Sequence, residues 1–72
     1  MGWKPDLEES YWYVRAKHDA LSFIVMQKEW GNSDYDYLRL AKGNVYPNCH
    51  EAQAVADKLT DRLIALRRRD RI

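Results

Sequence analysis

The sequence predicts an α+β fold: a small antiparallel sheet, formed by a hairpin, with a short helix and a long C-terminal helix packed on one face. Three observations predict this fold. Residues 10–17 alternate between two faces at the period of a strand. A second apolar run follows after a polar break, as in a hairpin. Residues 49–68 then repeat apolar side chains at spacings of three and four, the period of a helix that packs along one side.

The length of the chain limits how the domain is stabilised. At 72 residues it forms one domain, residues 1–72, and buries roughly 60% of the surface that the unfolded chain exposes. Cys49 is the one cysteine, so no intrachain disulfide supports the fold. The three tryptophans and five tyrosines indicate dense aromatic packing. Homodimerisation is the second way in which such a small domain can be stabilised.

The hairpin is predicted from residues 10–17 and 20–26, separated by a polar break at residues 17–19. One face of the first strand holds Trp12, Val14 and Ala16, and the other holds Tyr11, Tyr13, Arg15 and Lys17. The second strand is apolar on both faces, which predicts a strand that is covered from both sides.

A short helix is predicted after the Gly-Asn-Ser turn at 31–33, in which the asparagine or the serine serves as the N-cap. Asp34 and Asp36 lie in the first turn of this helix, where the positive end of the helix dipole favours carboxylates. The helix ends near Gly43, since glycine is the usual residue in the left-handed position that follows a helix.

The long helix is predicted from about Cys49 to Arg68. Val45-Tyr46 precedes it as a brief third strand, which Pro47 ends. Asn48 is the expected N-cap, and Glu51 three residues later completes a capping-box pattern. The apolar stripe of this helix consists of Ala52, Val55, Ala56, Leu59, Leu63 and Leu66.

Charge and hydropathy limit where the protein can be located and what it can bind. The net charge of +1 gives no overall field that recruits nucleic acid. Residues 1–36 carry four basic and seven acidic side chains, whereas residues 37–72 carry eight basic and four acidic ones. No stretch approaches the roughly 20 apolar residues of a membrane span, and the free cysteine suits a reducing compartment. We therefore expect a cytoplasmic protein that does not bind a membrane.

No residue pattern predicts catalysis, a metal or a cofactor. The serines and Cys49 lie in no recognised nucleophile motif. A zinc site needs three or four ligands at defined spacings, which adjacent Cys49-His50 and the distant His18 do not supply. We therefore expect a protein that is not an enzyme, has no cofactor and acts by binding another macromolecule.

One part of the chain carries a longer motif. From Trp30 onward it reads W-x-N-x-D-x-D-x-x-R-x-x-x-G-N-x-Y, followed by a capped helix that begins with Glu-Ala. The residues are Trp30, Asn32, Asp34, Asp36, Arg39, Gly43, Asn44, Tyr46, Glu51 and Ala52. An aromatic hairpin, Tyr11-Trp12-Tyr13-Val14, precedes them. Over residues 4–60 this arrangement resembles many small uncharacterised proteins encoded by phages and prophages.

The resemblance implies a phage or prophage accessory protein that acts by binding host machinery or a host defence system. The chain departs from the pattern at two places. Asn48 stands where the resembling proteins usually have threonine, and the tip of the hairpin lacks their usual glycine. Neither departure changes the expected fold.

Two polar features within the motif have specific interpretations. Asp36 and Arg39 lie three residues apart on one face of the short helix and can pair. They either form a recognition patch or tie the helix to the sheet or to the Gly43-Asn44 turn. Asn44 is expected to hold that turn by bonding nearby backbone, because asparagine tolerates left-handed conformations.

The candidate partner-binding residues are aromatic and basic side chains that we expect to be exposed: Tyr11, Tyr13, Arg15, Tyr35 and Tyr37. Such side chains are enriched at protein-binding surfaces, so the leading hypothesis is a protein-binding accessory or inhibitor whose partner is a host protein. The alternative is a small nucleic-acid-binding protein that grips phosphates. Its candidate residues are Arg67, Arg68, Arg69 and Arg71, which the negative end of a helix dipole also favours.

Overall fold

The computed structural model describes residues 3–17 and 22–69 and confirms the α+β fold class. Two strands form an antiparallel hairpin, and two helices follow them. The elements are β1 (Ser10–Ala16), β2 (Phe23–Glu29), α1 (Asp34–Ala41) and α2 (Cys49–Arg69). Within the described ranges, no helix is long and apolar enough to cross a membrane.

The register of the hairpin places the second strand three residues later than predicted. Ser10 pairs with Glu29 and Ala16 pairs with Phe23, so β2 runs from 23 to 29 rather than from 20 to 26. The backbone N–H of Lys17 donates to the Ser22 carbonyl at 2.9 Å and closes the hairpin there. Residues 20 and 21 of the predicted strand lie outside the described residues. Polar residues 27–29 belong to the strand because pairing with β1, and not hydropathy, sets where it ends.

Each face of the hairpin carries its own small apolar core. Val14 packs with Ala52 and Ala56 of α2 on one face, and both alanines are fully buried. Tyr11 packs with Trp30 and Val45 on the other face. The partly buried side chains that extend these cores are Trp12, Phe23, Val25, Tyr46 and Val55 on the first face and Trp3, Tyr13 and Leu40 on the second. The alternation of β1 therefore serves two cores, and α1 lies on the face opposite α2.

The N-terminus of α1 is capped by a reciprocal pair of hydrogen bonds. The Ser33 hydroxyl accepts from the backbone N–H of Asp36 at 3.1 Å, and the Asp36 carboxylate accepts from the backbone N–H of Ser33 at 3.1 Å. Ser33 is therefore the cap, and Asn32 has another role. Asn32 adopts the left-handed conformation (φ 56°), and its side chain accepts a 2.6 Å hydrogen bond from the Trp30 indole N–H. Gly43, with φ 71°, ends the helix as predicted.

The outer edge of β1 is closed by two short interactions instead of a third strand. Tyr46 and Trp12 exchange backbone hydrogen bonds of 2.9 and 3.0 Å, which form a single bridge. The Asn44 side-chain amide accepts from the Val14 N–H at 2.9 Å and donates to the Val14 carbonyl at 2.8 Å. The prediction that Asn44 bonds nearby backbone is therefore wrong. Its amide carries a donor and an acceptor, as a backbone residue does, and it takes the place of a strand residue.

The long helix begins as predicted and ends one residue later. Asn48 caps the helix as expected, since its side-chain oxygen accepts from the Glu51 N–H at 3.0 Å. The Asn48 side-chain amide also donates to the Glu51 carboxylate at 2.9 Å, whereas in the predicted capping box this carboxylate accepts from the backbone N–H of the cap. The helix packs on both strands. At its middle, the Thr60 hydroxyl accepts a 2.9 Å hydrogen bond from the backbone N–H of Phe23.

We expect Asn44→Ala to destabilise the protein by about 2 kcal/mol, because it leaves the buried N–H and C=O groups of Val14 without partners. Chemical denaturation followed by circular dichroism measures this loss. Gln53→Ala is the control, since Gln53 is exposed and bonds only Asp57 on its own helix among the described contacts. Its expected change is within about 0.5 kcal/mol. Equal effects of the two substitutions would contradict the edge-closing role of Asn44.

Candidate functional site

A fully buried carboxylate, that of Asp36, lies where the hairpin meets α1. One of its oxygens accepts hydrogen bonds from the Tyr11 hydroxyl at 2.6 Å and from the Lys28 ammonium at 3.1 Å. The other oxygen accepts from the backbone N–H groups of Gly31 and Ser33, at 2.9 and 3.1 Å. The carboxylate thus binds β1, β2 and the turn before α1 at once.

The hydrogen bonds keep this buried carboxylate ionised. Burial by itself raises the pKa of Asp36, but the bonds from Tyr11, Gly31, Ser33 and Lys28 together hold that pKa well below its usual range. Burial and the hydrogen bond to Asp36 raise the pKa of Tyr11 to about 12, although the neighbouring Arg39 acts in the opposite direction. Tyr11 therefore remains a neutral donor to a charged acceptor, a combination that gives strong hydrogen bonds.

The same cluster fixes Arg39. Its guanidinium donates to the Tyr11 hydroxyl at 2.9 Å and lies 3.7 Å from the Asp36 carboxylate. The guanidinium carbon also lies 3.9 Å from the centre of the Tyr13 ring, a cation–π contact. Of the two interpretations of the Asp36–Arg39 pair, the structure supports the one in which it ties the helix to the sheet.

Tyr11 was predicted to be exposed, and this prediction is wrong, since none of its surface is accessible. Alternation along β1 correctly placed it on the face away from α2. That face is covered by Trp30 and Val45, and the Tyr11 hydroxyl has a buried partner. Tyr11 therefore belongs to the core that supports the surface and is not an anchor on it.

Three of the other candidate residues meet in one open groove between β1 and α1. The groove has a volume of about 270 Å³. Tyr13, Arg15 and Tyr35 line it together with Val14, Leu38, Arg39, Lys42 and Asn44. Tyr35 is 70% exposed, as predicted. Tyr13 was also predicted to be exposed, but it is half-buried because the guanidinium of Arg39 covers one face of its ring. We call this site the cationic groove, because among residues 3–17 and 22–69 its lining includes three basic residues and no acidic one.

Tyr37 does not belong to the cationic groove. It is 48% exposed, as predicted, but its ring packs edge-on against Trp30 with 5.1 Å between centroids. On a helix, residues two positions apart point in different directions, which separates Tyr37 from Tyr35.

The sequence prediction missed Leu38 and Lys42, which lie on the same side of α1 as Tyr35. They follow Tyr35 by three and seven residues, the spacing of one helix face. This signal was present in the sequence, but the position of the helix beside β1 was not. Leu38 is 50% exposed and gives the cationic groove an apolar element.

A second groove adjoins the first and is more apolar. It has a volume of about 320 Å³ and shares Arg15, Lys42, Val14 and Asn44 with the cationic groove. The other residues that line it are Ala16, Phe23, Gly43, Tyr46, Val55 and Leu59. Arg15 and Lys42 therefore stand between two patches of apolar side chains.

Of the arginines in the alternative hypothesis, the three that the structure describes line neither groove. Arg67, Arg68 and Arg69 are exposed in the last turn of α2, and Arg71 lies outside the described residues. Cys49 is exposed. Among residues 3–17 and 22–69, no three histidine, cysteine or acidic side chains are grouped so that they could hold a metal ion.

Comparison of the chain with protein-family models, with curated proteins and with solved structures gives no match.

The Asp36 carboxylate makes the free energy of unfolding depend on pH in the acidic range. Because its pKa is lower in the folded than in the unfolded protein, its contribution is complete above about pH 5 and is lost as the pH falls below about 4. The free energy of unfolding of the wild type should therefore exceed that of Asp36→Asn by about 3 kcal/mol at pH 7. Urea unfolding at pH 2–7 should show this difference shrinking in acid. A difference that is the same at every pH would contradict the assignment.

Proposed function

We propose that this protein is a small accessory protein of the phage and prophage type, which acts in the cytoplasm by binding a host protein through the cationic groove. The observation that carries the proposal is the meeting of Tyr13, Arg15 and Tyr35 in one groove. The resemblance of the Trp30–Ala52 motif to phage and prophage proteins supports the proposed source.

The lining of the grooves favours a partner segment that combines acidic and apolar side chains. Arg15 and Lys42 are both exposed, and no carboxylate of the described part of the chain competes for them in either lining. Leu38 on one side and Leu59 on the other offer apolar contacts next to these charges. An acidic side chain placed between the two cations, with apolar neighbours in the flanking patches, satisfies both features.

The geometry favours a peptide over single-stranded nucleic acid in this groove. Nucleic-acid surfaces of this kind use open aromatic faces on which bases stack. One face of Tyr13 is already occupied by the Arg39 guanidinium, at 3.9 Å. That leaves Tyr35 as the exposed aromatic side chain in the lining. Binding would occlude the bound surface of the host protein, and this is the proposed mechanism of inhibition.

The alternative proposal is nucleic-acid binding by Arg67, Arg68 and Arg69. It is supported by the exposure of three consecutive cations at the end of α2. The negative end of the helix dipole also favours cations there, so their position has an explanation that needs no ligand.

We expect the double substitution Arg15→Gln and Lys42→Gln to weaken partner binding at least about tenfold, because it removes both charges that face the acidic segment. Tagged protein is used to capture partners from nuclease-treated bacterial lysate, and the affinity of the captured host protein is then measured by calorimetry at two salt concentrations. Thermal unfolding should be nearly unchanged, since both side chains are exposed.

The matched control removes the same charge elsewhere, with Lys58→Gln and Arg62→Gln on the exposed side of α2. This variant should bind like the wild type. An equal loss of affinity in both variants would show that net charge alone causes the effect, and it would contradict binding through the groove. The alternative proposal would be favoured if nuclease treatment abolished the capture of partners and if replacement of the three C-terminal arginines by glutamine did so as well.

A further inference from the structure

The two edges of the hairpin differ in how their backbone groups are used. Trp12 and Val14 bond Tyr46 and Asn44, so the even-numbered residues of β1 direct their N–H and C=O groups away from β2. The odd-numbered residues of β1 therefore bond their partners in β2, which are the even-numbered ones. It follows that Phe23, Val25 and Gln27 direct their backbone groups to the outer edge of β2.

This outer edge is covered at one end and open in the middle. The N–H of Phe23 donates to the Thr60 hydroxyl, which confirms that this residue faces outward. Within residues 3–17 and 22–69, the backbone groups of Val25 and Gln27 have no partner at this edge. The edge of β1, by contrast, is closed at both Trp12 and Val14.

Residues 23–26 of the open edge lack the features with which proteins protect exposed strands, since the charged residues of β2, Lys28 and Glu29, lie at its C-terminal end. Such edges usually carry charges, proline or a bulge. In β2 the pairing with β1 is regular, and Phe23-Ile24-Val25-Met26 holds no charge and no proline. Lys28 is turned toward Asp36 on the inner core face. The middle of β2 is therefore suited to pair with another strand.

We propose that β2 pairs antiparallel with β2 of a second copy of this chain, which makes a four-stranded sheet around a twofold axis at Met26. In this register Val25 stands opposite Gln27 of the second copy, and both direct their backbone groups toward each other. Ile24 stands opposite Lys28, and Phe23 stands opposite Glu29. No two like charges face each other, so the strand is complementary to itself.

The position of α2 fits the same twofold axis. Neighbouring strands lie about 4.8 Å apart, so two helices that are each centred on their own hairpin are about 10 Å apart, which is the distance of packed helices. The helix passes from Val14 on β1 to the outer edge of β2, where Thr60 meets Phe23. The residues after Thr60 therefore extend toward the second copy, with Ile64 and Leu66 exposed by 42% and 47%.

The charges of α2 favour this antiparallel arrangement. Its first turn carries Glu51, and its last turn carries Arg67–Arg69. The twofold axis brings the basic end of each helix toward the acidic first turn of the other. The cationic groove lies between β1 and α1, so it remains open in the dimer. The inference goes beyond the proposed function and does not depend on it.

The test compares the masses of the wild type, Gln27→Pro and Gln27→Ala by sedimentation equilibrium over a range of concentrations. Proline at 27 removes an outward N–H that β1 does not use, and it is tolerated on an edge strand. We expect the wild type and Gln27→Ala to approach twice 8.6 kDa and Gln27→Pro to dimerise at least about tenfold more weakly. A monomeric wild type, or a folded Gln27→Pro that dimerises equally well, would overturn the proposal.

Amide hydrogen exchange of the wild type decides the matter if Gln27→Pro does not fold. The N–H groups of Val25 and Gln27 should exchange quickly in dilute protein and slowly in concentrated protein, because they become bonded in the dimer. The N–H of Met26 should be protected at both concentrations. Fast exchange of Val25 and Gln27 at a concentration where the protein is dimeric would place the interface elsewhere.

Discussion

The architecture of this small domain depends on one buried negative charge. The Asp36 carboxylate has no exposed surface, and it is satisfied by four hydrogen bonds from β1, β2 and the turn that starts α1. An unpaired charge in such a place would strongly destabilise the fold. The hairpin, the turn and the short helix must therefore all be in position before the carboxylate can be buried. In a chain of 72 residues with a small core, this requirement selects one arrangement of the elements.

The buried cluster also shapes the surface above it. The Arg39 guanidinium donates to the Tyr11 hydroxyl and also covers one face of the Tyr13 ring. Arg39 and Tyr13 line the cationic groove, and Tyr11 lies in the core beneath it. The groove is therefore preorganised by the same contacts that hold α1 on the hairpin. A preorganised surface loses less conformational entropy when a partner binds. The core and the proposed binding surface are therefore one structure in this protein.

Periodicity predicted the elements, because a two-residue or 3.6-residue repeat is a local property of the chain. The caps of both helices were predicted in part for the same reason. The sequence predicts Asn48 as the cap of α2, but it does not predict the capping role of Asp36 in α1. Three features depend on contacts between residues that are far apart in sequence, and hydropathy does not predict such contacts. They are the register of β2, the burial of Tyr11 and the hydrogen bonds between Asn44 and Val14. The sequence predicts three residues of the cationic groove, Tyr13, Arg15 and Tyr35, from the chemistry of their side chains. It does not predict that they lie side by side, because their proximity depends on the tertiary fold.

The most direct test of this account is the titration of the Asp36 carboxyl carbon by nuclear magnetic resonance in the folded protein. If Asp36 is held as described, its signal should stay that of the ionised form while the pH is lowered through about 3.9, the ordinary pKa of an aspartate side chain. An Asp36 signal that titrates at that ordinary value would show that the carboxylate is not held by these bonds, and the account would then be wrong at its centre.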